Sequence, residues 1–210
     1  MAAKKTSKSS RPVKTERSLK DRVADVALKT ASQQGWGELT LFDLADSVKE
    51  PFGLVVEVFP TTDRIAAYLF SRVDSIVLAA IPKIDHDESP RDRLFEVLMM
   101  RFDALQAERA GYAAILRSMQ RRPFSMFMRI PGLIHSMALI LIVSGIDATG
   151  PFGVARAHAL GAIYIMALRT WLKDDSSDMA QTMSALDKGL DRLEQLQKMF
   201  MKPSIRAGSS

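Results

Sequence analysis

From Leu19 to Phe200 the apolar residues of this chain recur at steps of three and four, which is the spacing of one face of an α-helix. No segment shows the strict alternation of polar and apolar residues that marks a half-buried strand. The 210 residues are 47% hydrophobic and 25% charged, as expected of a folded chain long enough to bury a core. We therefore expect an all-α protein.

The first 82 residues carry the signals of a helix-turn-helix. Gly35 falls where a left-handed cap would end the first helix. Thr40, with Asp43 three residues later, is typical of the start of a second helix, and Pro51 suits the first turn of a third. Three short helices with a short turn between the second and third predict a helix-turn-helix domain. A longer connecting helix over 62–81 should follow it.

The remaining periodic segments predict a C-terminal helical bundle. One of them, 130–146, has no charged residue over 17 positions but is shorter than the roughly 20 apolar residues needed to cross a membrane. We expect it to be a buried helix, and we expect no transmembrane segment. We then expect four parts in the chain. Residues 1–17 form a disordered basic arm, and residues 18–82 form a helix-turn-helix domain with its connecting helix. Residues 83–202 form a helical ligand-binding and dimerisation domain, and residues 203–210 form a disordered tail.

The positive charge is concentrated at the N-terminus. Residues 4–22 hold eight lysines and arginines against two acidic residues, so they carry +6 while the whole chain carries +5. Basic arms commonly contact phosphates, although a solubilising tail has the same composition. No apolar run follows Met1, so we expect no secretory signal and a cytoplasmic protein.

The residues needed for catalysis or metal binding are missing from the sequence. There is no cysteine, and the three histidines are far apart in sequence. No nucleophile elbow, P-loop or dinucleotide fingerprint is present. Asp174, Asp175 and Asp178 are best explained by the start of the last helix, capped by Ser176 or Ser177. We expect no enzyme, no metal and no cofactor.

The segment from Val23 to Arg64 resembles the N-terminal domain of TetR-family transcriptional regulators. The residues that carry the resemblance are Ala27-Leu28, Gln34-Gly35-Trp36, Thr40-Leu41-x-Asp43-Leu44-Ala45, Gly53 and Phe59-Pro60-Thr61-Thr62-Asp63. The resemblance implies a TetR-like fold, a homodimer, a DNA-binding helix-turn-helix and an effector pocket in the C-terminal domain.

The C-terminal half also resembles a narrower group. Its closing segment resembles that of the ubiquinone-biosynthesis lipid-binding proteins, which have the TetR fold and act on isoprenoid lipids. The residues that carry the resemblance are Trp171-Leu172-x-Asp174-Asp175-Ser176-x-Asp178, Thr182 and Leu186-Asp187. This resemblance implies an apolar or lipid ligand.

Candidate DNA contacts lie in the arm and around the third helix. They are Lys14, Arg17, Lys20, Arg22, Thr40, Phe52, Gly53, Leu54 and Glu57. Leu54, Val56 and Glu57 stand where the TetR pattern usually has hydroxyl, tyrosine and basic residues. A carboxylate such as Glu57 repels DNA phosphates, so we expect poor discrimination of base edges.

The candidate ligand site rests on methionine. Seven of the twelve methionines lie between Met99 and Met166, and methionine suits adaptable apolar binding surfaces as well as ordinary cores. We predict an apolar site lined by Met99, Phe102, Met119, Phe127, Met137 and Tyr164. We also predict a homodimer formed by the last two helices through Ala159, Ala162, Leu186, Leu190 and Leu193.

Two functions fit these observations. The first is a homodimeric, ligand-responsive transcriptional regulator that binds DNA and an apolar small molecule. The alternative is a lipid-binding accessory protein of ubiquinone biosynthesis, with an isoprenoid or quinone ligand, that has lost sequence-specific DNA binding. The poorly equipped recognition helix favours the alternative, and the basic arm favours the regulator.

Overall fold

The structure is a computed structural model, and it describes residues 18–81, 88–121 and 130–200. For residues 196–200 it describes the backbone only. This part contains nine helices and no strand, so the predicted all-α fold is confirmed. The helices are α1 Leu19–Gln34, α2 Leu41–Val48, α3 Phe52–Val58, α4 Thr62–Ala80, α5 Pro90–Gln106, α6 Arg109–Arg121, α7 Ile130–Val143, α8 Gly150–Trp171 and α9 Ala180–Phe200.

Side-chain caps mark the starts of α1, α2, α4 and α5. Thr40 and Asp43 form the predicted capping box: the Asp43 amide donates to the Thr40 hydroxyl over 3.1 Å, and the Thr40 amide donates to the Asp43 carboxylate over 3.1 Å. Gly35 has the positive φ of 89° that favours glycine, but its ψ of 156° is outside the left-handed helical region that we predicted. The left-handed residue of the helix-turn-helix turn is Lys49, with φ 57° and ψ 45°.

The helix-turn-helix domain and the bundle share one core. Buried apolar residues from Val23 on α1 to Leu190 on α9 belong to one contiguous hydrophobic cluster. Gly111 on α6 lies so close to α1 that an added Cβ would stand 2.6 Å from Leu28 Cδ1. The predicted division of the chain at 82/83 falls where residues 82–87 are outside the description, and the arm 1–17 and tail 203–210 are outside it as well.

The C-terminal helices are joined by buried polar contacts. Asp174 is fully buried and accepts hydrogen bonds from the Thr182 amide and hydroxyl, both at 2.8 Å, at the start of α9. Ser176, one of the two predicted caps, accepts a hydrogen bond from the Ala180 amide at 3.0 Å. Burial raises the pKa of the Asp174 carboxyl, but hydrogen bonds from Ser176 and Thr182 outweigh it and lower that pKa to about 2.

Among the described residues, one helix, α8, is long and apolar enough to cross a membrane, judged by length and composition alone. A third of its most apolar 18-residue stretch is buried inside the protein. The uncharged segment 130–146, whose length we compared with that of a membrane span, contains the 14-residue α7.

Candidate DNA-binding surface and ligand cavity

The surface around α3 is apolar where a DNA reader needs hydrogen-bonding groups. Phe52, Gly53, Leu54 and Glu57, the predicted DNA contacts of this helix, are all exposed. Phe42 of α2, which we did not predict, stacks on Phe52 with ring centroids 3.8 Å apart and planes 2° apart. Exposed phenylalanine and leucine can contact thymine methyl groups but cannot donate to base edges.

The predicted cations and hydroxyl of this surface are partly engaged within the protein. Arg22 forms an ion pair with Glu50, which removes much of its net positive field. The Thr40 hydroxyl is occupied by Asp43 in the capping box. Lys20 is exposed, whereas Lys14 and Arg17 lie outside the described residues. Of the four predicted cations, the described residues therefore include the exposed Lys20 and the paired Arg22.

A cavity of about 440 Å³ lies between the connecting helix and the bundle. This volume is within the range of sites that hold small organic ligands. Its wall is mostly apolar and comes from α4, α5, α6, α7 and α8, and the α4 residues on it are Ala67, Phe70, Ser71 and Asp74.

Two of the predicted ligand residues, Met119 and Tyr164, line this cavity. Phe102 and Met137 do not, because their side chains face the closed core and are fully buried there, and Met99 packs against that core. Phe127 lies outside the described residues. Two of the six predicted residues therefore line the cavity, and three belong to the core.

Four side chains form a polar network at the cavity wall. Arg101 of α5 donates from Nε to the Tyr164 hydroxyl of α8 and from Nη1 to Ser136 Oγ of α7, both over 2.9 Å. The Ser136 hydroxyl donates to Asp74 Oδ1 of α4 over 2.7 Å, and Arg101 also pairs directly with Asp74. The network therefore ties α4 to three helices of the bundle.

The sequence analysis missed this network. Arg101 occupies a position between Leu98 and Leu105 on the apolar stripe of α5, so a charge on a buried helical face was the available signal. Its side chain is only 4% exposed, while that of Asp74 is 26% exposed. A buried arginine needs a compensating charge, and here Asp74 supplies it.

The predicted dimer residues fall into two groups. Leu186 and Leu190 are buried inside the protomer, so they were wrongly assigned to a surface between protomers. The small residues of α8 explain part of the error, because Gly161 packs on Ile134 of the same chain. Ala159, Ala162 and Leu193 remain at least partly accessible.

The closing segment, from Trp171 to Asp187, has structural tasks here. Trp171 is buried, donates to Gln106 over 3.0 Å and lies 4.8 Å from the Arg109 guanidinium. Asp187 pairs with Arg91 of α5. These contacts hold the C-terminal helices to α5 and α6, and the fold accounts for them without a ligand.

No protein-family model matches the sequence, and no curated protein matches it. Solved structures do match the fold. A TetR transcriptional regulator from Nitrosomonas europaea ATCC 19718 matches with a TM-score of 0.69 at 18% identity, over 85% of this chain and 99% of that one. One from Rhodococcus sp. RHA1 matches with a TM-score of 0.66 at 15% identity, over 82% and 93%.

A TetR-family regulator from Streptomyces coelicolor matches with a TM-score of 0.57 at 16% identity, over 86% of this chain and 82% of that one. These structures match between 82% and 86% of this chain at identities of 15–18%. The fold is therefore that of the TetR transcriptional regulators, as the residues from Val23 to Arg64 had indicated.

Proposed function

We propose that this protein is a homodimeric, ligand-responsive transcriptional regulator of the TetR type, acting in the cytoplasm and without enzymatic activity. One observation carries the proposal. The helix α4 is separated from the candidate recognition helix by only three residues, and it also forms a wall of the 440 Å³ cavity. A molecule that fills the cavity contacts the element that positions the helix-turn-helix, so ligand and DNA can influence each other's binding.

DNA binding in this proposal relies on charge more than on base reading. The arm supplies six lysines and arginines within residues 1–17. The described recognition surface supplies exposed Phe52 and Leu54 and the acidic Glu57. Contacts to phosphates give affinity without sequence information, so preference for one site over random duplex should be modest.

The homodimer is proposed to form through an exposed stripe on α8. Residues 152, 155, 159, 162 and 166 recur at steps of three and four along this helix and are apolar. Phe152 and Met166 at its ends are strongly exposed, and the three residues between them are alanines. Small residues between two large ones let two copies of a helix approach closely about a two-fold axis.

A second candidate function follows from the apolar recognition surface. Phe42, Phe52 and Leu54 are exposed together, and Glu57 lies on the same short helix as the last two. A helix-turn-helix with this surface is poorly suited to DNA, which favours a lipid-binding accessory protein with an isoprenoid or quinone ligand. Complete absence of DNA binding at low salt would select this candidate.

The experiment that tests the regulator is a salt titration of DNA affinity. Fluorescence anisotropy with a labelled random duplex is compared for the full chain, a chain lacking residues 1–17, and a full-length chain with the six arm cations changed to glutamine. Each phosphate contact contributes about −0.9 to the slope of log K against log salt. Both variants should lose most of the affinity and much of the slope, because they lack the same six charges.

The variant Glu57→Arg serves as the opposite control and should bind more tightly, because it replaces a repulsive charge at the groove. The account of DNA binding is wrong if the truncated protein still binds one defined palindrome at nanomolar concentration with strong site preference. That outcome would mean that the apolar α3 surface reads bases directly.

A further inference from the structure

The cavity wall carries more positively charged than negatively charged side chains among the described residues. Among the described residues that line it, Arg101 and Arg169 are positive, and Asp74 is the one negative residue. The rest of the lining is apolar or neutral apart from His135. A ligand that fills this cavity must therefore be mostly apolar, and an anionic group on it would meet an excess of positive charge.

The two members of the Arg101–Asp74 pair differ in their access to water. Arg101 is 4% exposed and is fixed by Tyr164 and Ser136, so it cannot leave the wall without losing these contacts. Asp74 is 26% exposed and can be rehydrated if its side chain turns outwards. A second carboxylate can therefore replace Asp74 beside Arg101 and keep the buried charge compensated.

From this asymmetry we infer that the cavity binds a monocarboxylate amphiphile, an apolar chain or ring system with one carboxylate that takes the place of Asp74 on Arg101. The Arg101 guanidinium recognises the carboxylate, Ser136 provides a further polar contact, and the apolar wall around Phe70, Leu116 and Leu168 takes the chain. The inference rests on the proposed function only in taking the cavity as the ligand site.

A cationic ligand is excluded by the same asymmetry. An ammonium group beside Asp74 would compete with Arg101 for its partner and leave a guanidinium buried without a counter-charge. A neutral amide can hydrogen-bond to the network but gains nothing from the excess positive charge. The head group, with the chain held constant, is therefore the variable that tests the inference.

The test is isothermal titration calorimetry of the full-length protein at pH 7.5 with decanoate, decanamide and decylammonium. We expect decanoate to bind about tenfold more tightly than decanamide, and decylammonium to bind most weakly. In Asp74→Asn the advantage of decanoate should grow by about another factor of ten, since the competing carboxylate is gone. Because each single change leaves the other charge without its partner, the matched variant is the double change Arg101→Gln with Asp74→Asn.

The double variant removes both charges and leaves a neutral amide at each position, so it should fold and bind decanamide as the wild type does. Its preference for decanoate should fall to the share that Arg169 contributes at the cavity wall. Equal binding of decanoate and decanamide by the wild type, an unchanged ratio in Asp74→Asn, tighter binding of decylammonium, or no binding of any probe would overturn the inference. The assay contains no DNA, so a failure of the regulatory function leaves a positive result here intact.

Discussion

Two aspartates, Asp74 and Asp174, illustrate how burial decides what a carboxylate can do. Asp174 is fully buried and receives hydrogen bonds from Ser176 and Thr182, so it is fixed in one place and supports the fold. Asp74 is partly exposed and compensates the charge of Arg101 at a cavity wall, so it can be exchanged for another carboxylate. We therefore expect changes at Asp174 to affect stability and changes at Asp74 to affect the proposed ligand binding.

The variant Asp174→Asn should lower the free energy of unfolding by about 1–3 kcal/mol at pH 7, because an amide cannot accept all the hydrogen bonds that the carboxylate accepts. The pKa of Asp174 falls from 3.8 to about 2 on folding. Its stabilising contribution is therefore complete above about pH 4 and is lost as the pH falls through 2. Urea denaturation between pH 7 and pH 2 should show the deficit of the variant shrinking over that window.

The neighbouring Asp175→Asn is the matched control, since Asp175 is exposed. It should unfold like the wild type at pH 7. If the two variants are equally stable there, the stabilising role assigned to Asp174 is wrong.

At the scale of the helices, the sequence predicted where each helix lies better than what each face touches. Pro90 and the Thr40–Asp43 box are local signals, and the helices begin where they indicate. The Leu and Met stripe of α9 showed that the helix is buried on one side. It could not show that Leu190 faces its own chain, because an apolar face packs equally well on α8 or on a second protomer.

The same limit applies to the cavity. Arg101 and Phe102 are neighbours on α5, yet one lines the cavity and the other is closed into the core. A concentration of methionines identifies a region of the bundle, but which side chain faces a void depends on how five helices pack together. The charge of Arg101 on an apolar stripe was the one local sign of the site.

The dimer prediction belongs to α8. Met166→Asp places a charge on the exposed stripe of α8 and should give monomers at micromolar concentration. These monomers should remain folded and unfold in one thermal transition, because Met166 is exposed on the protomer. Leu190→Asp is the matched control, because Leu190 is 2% exposed and its change should destabilise the protomer itself. Light scattering with thermal denaturation separates the two effects. A monomeric wild type, or a Met166→Asp protein that stays dimeric, contradicts this interface.

At the scale of the whole molecule, the helix-turn-helix and the bundle form one packed body in the described residues. The core is continuous from α1 to α9, and Gly111 brings α6 against Leu28 of α1. The connecting helix α4 carries Asp74 at the cavity and follows directly on the candidate recognition helix. A change at the cavity wall can therefore be transmitted through packed elements to the DNA-binding surface.

The most direct test of this account is the DNA affinity of the protein with and without a cavity ligand. It is measured by anisotropy with the tightest-binding genomic fragment at about 200 mM salt, where the contribution of the arm is reduced. Saturating decanoate should raise the dissociation constant of the wild-type complex about tenfold, within the usual range of coupling between sites. The Arg101→Gln, Asp74→Asn double variant should not respond to the same decanoate concentration. Unchanged DNA affinity of the wild type, with calorimetry showing decanoate bound, would contradict the coupling of cavity and helix-turn-helix.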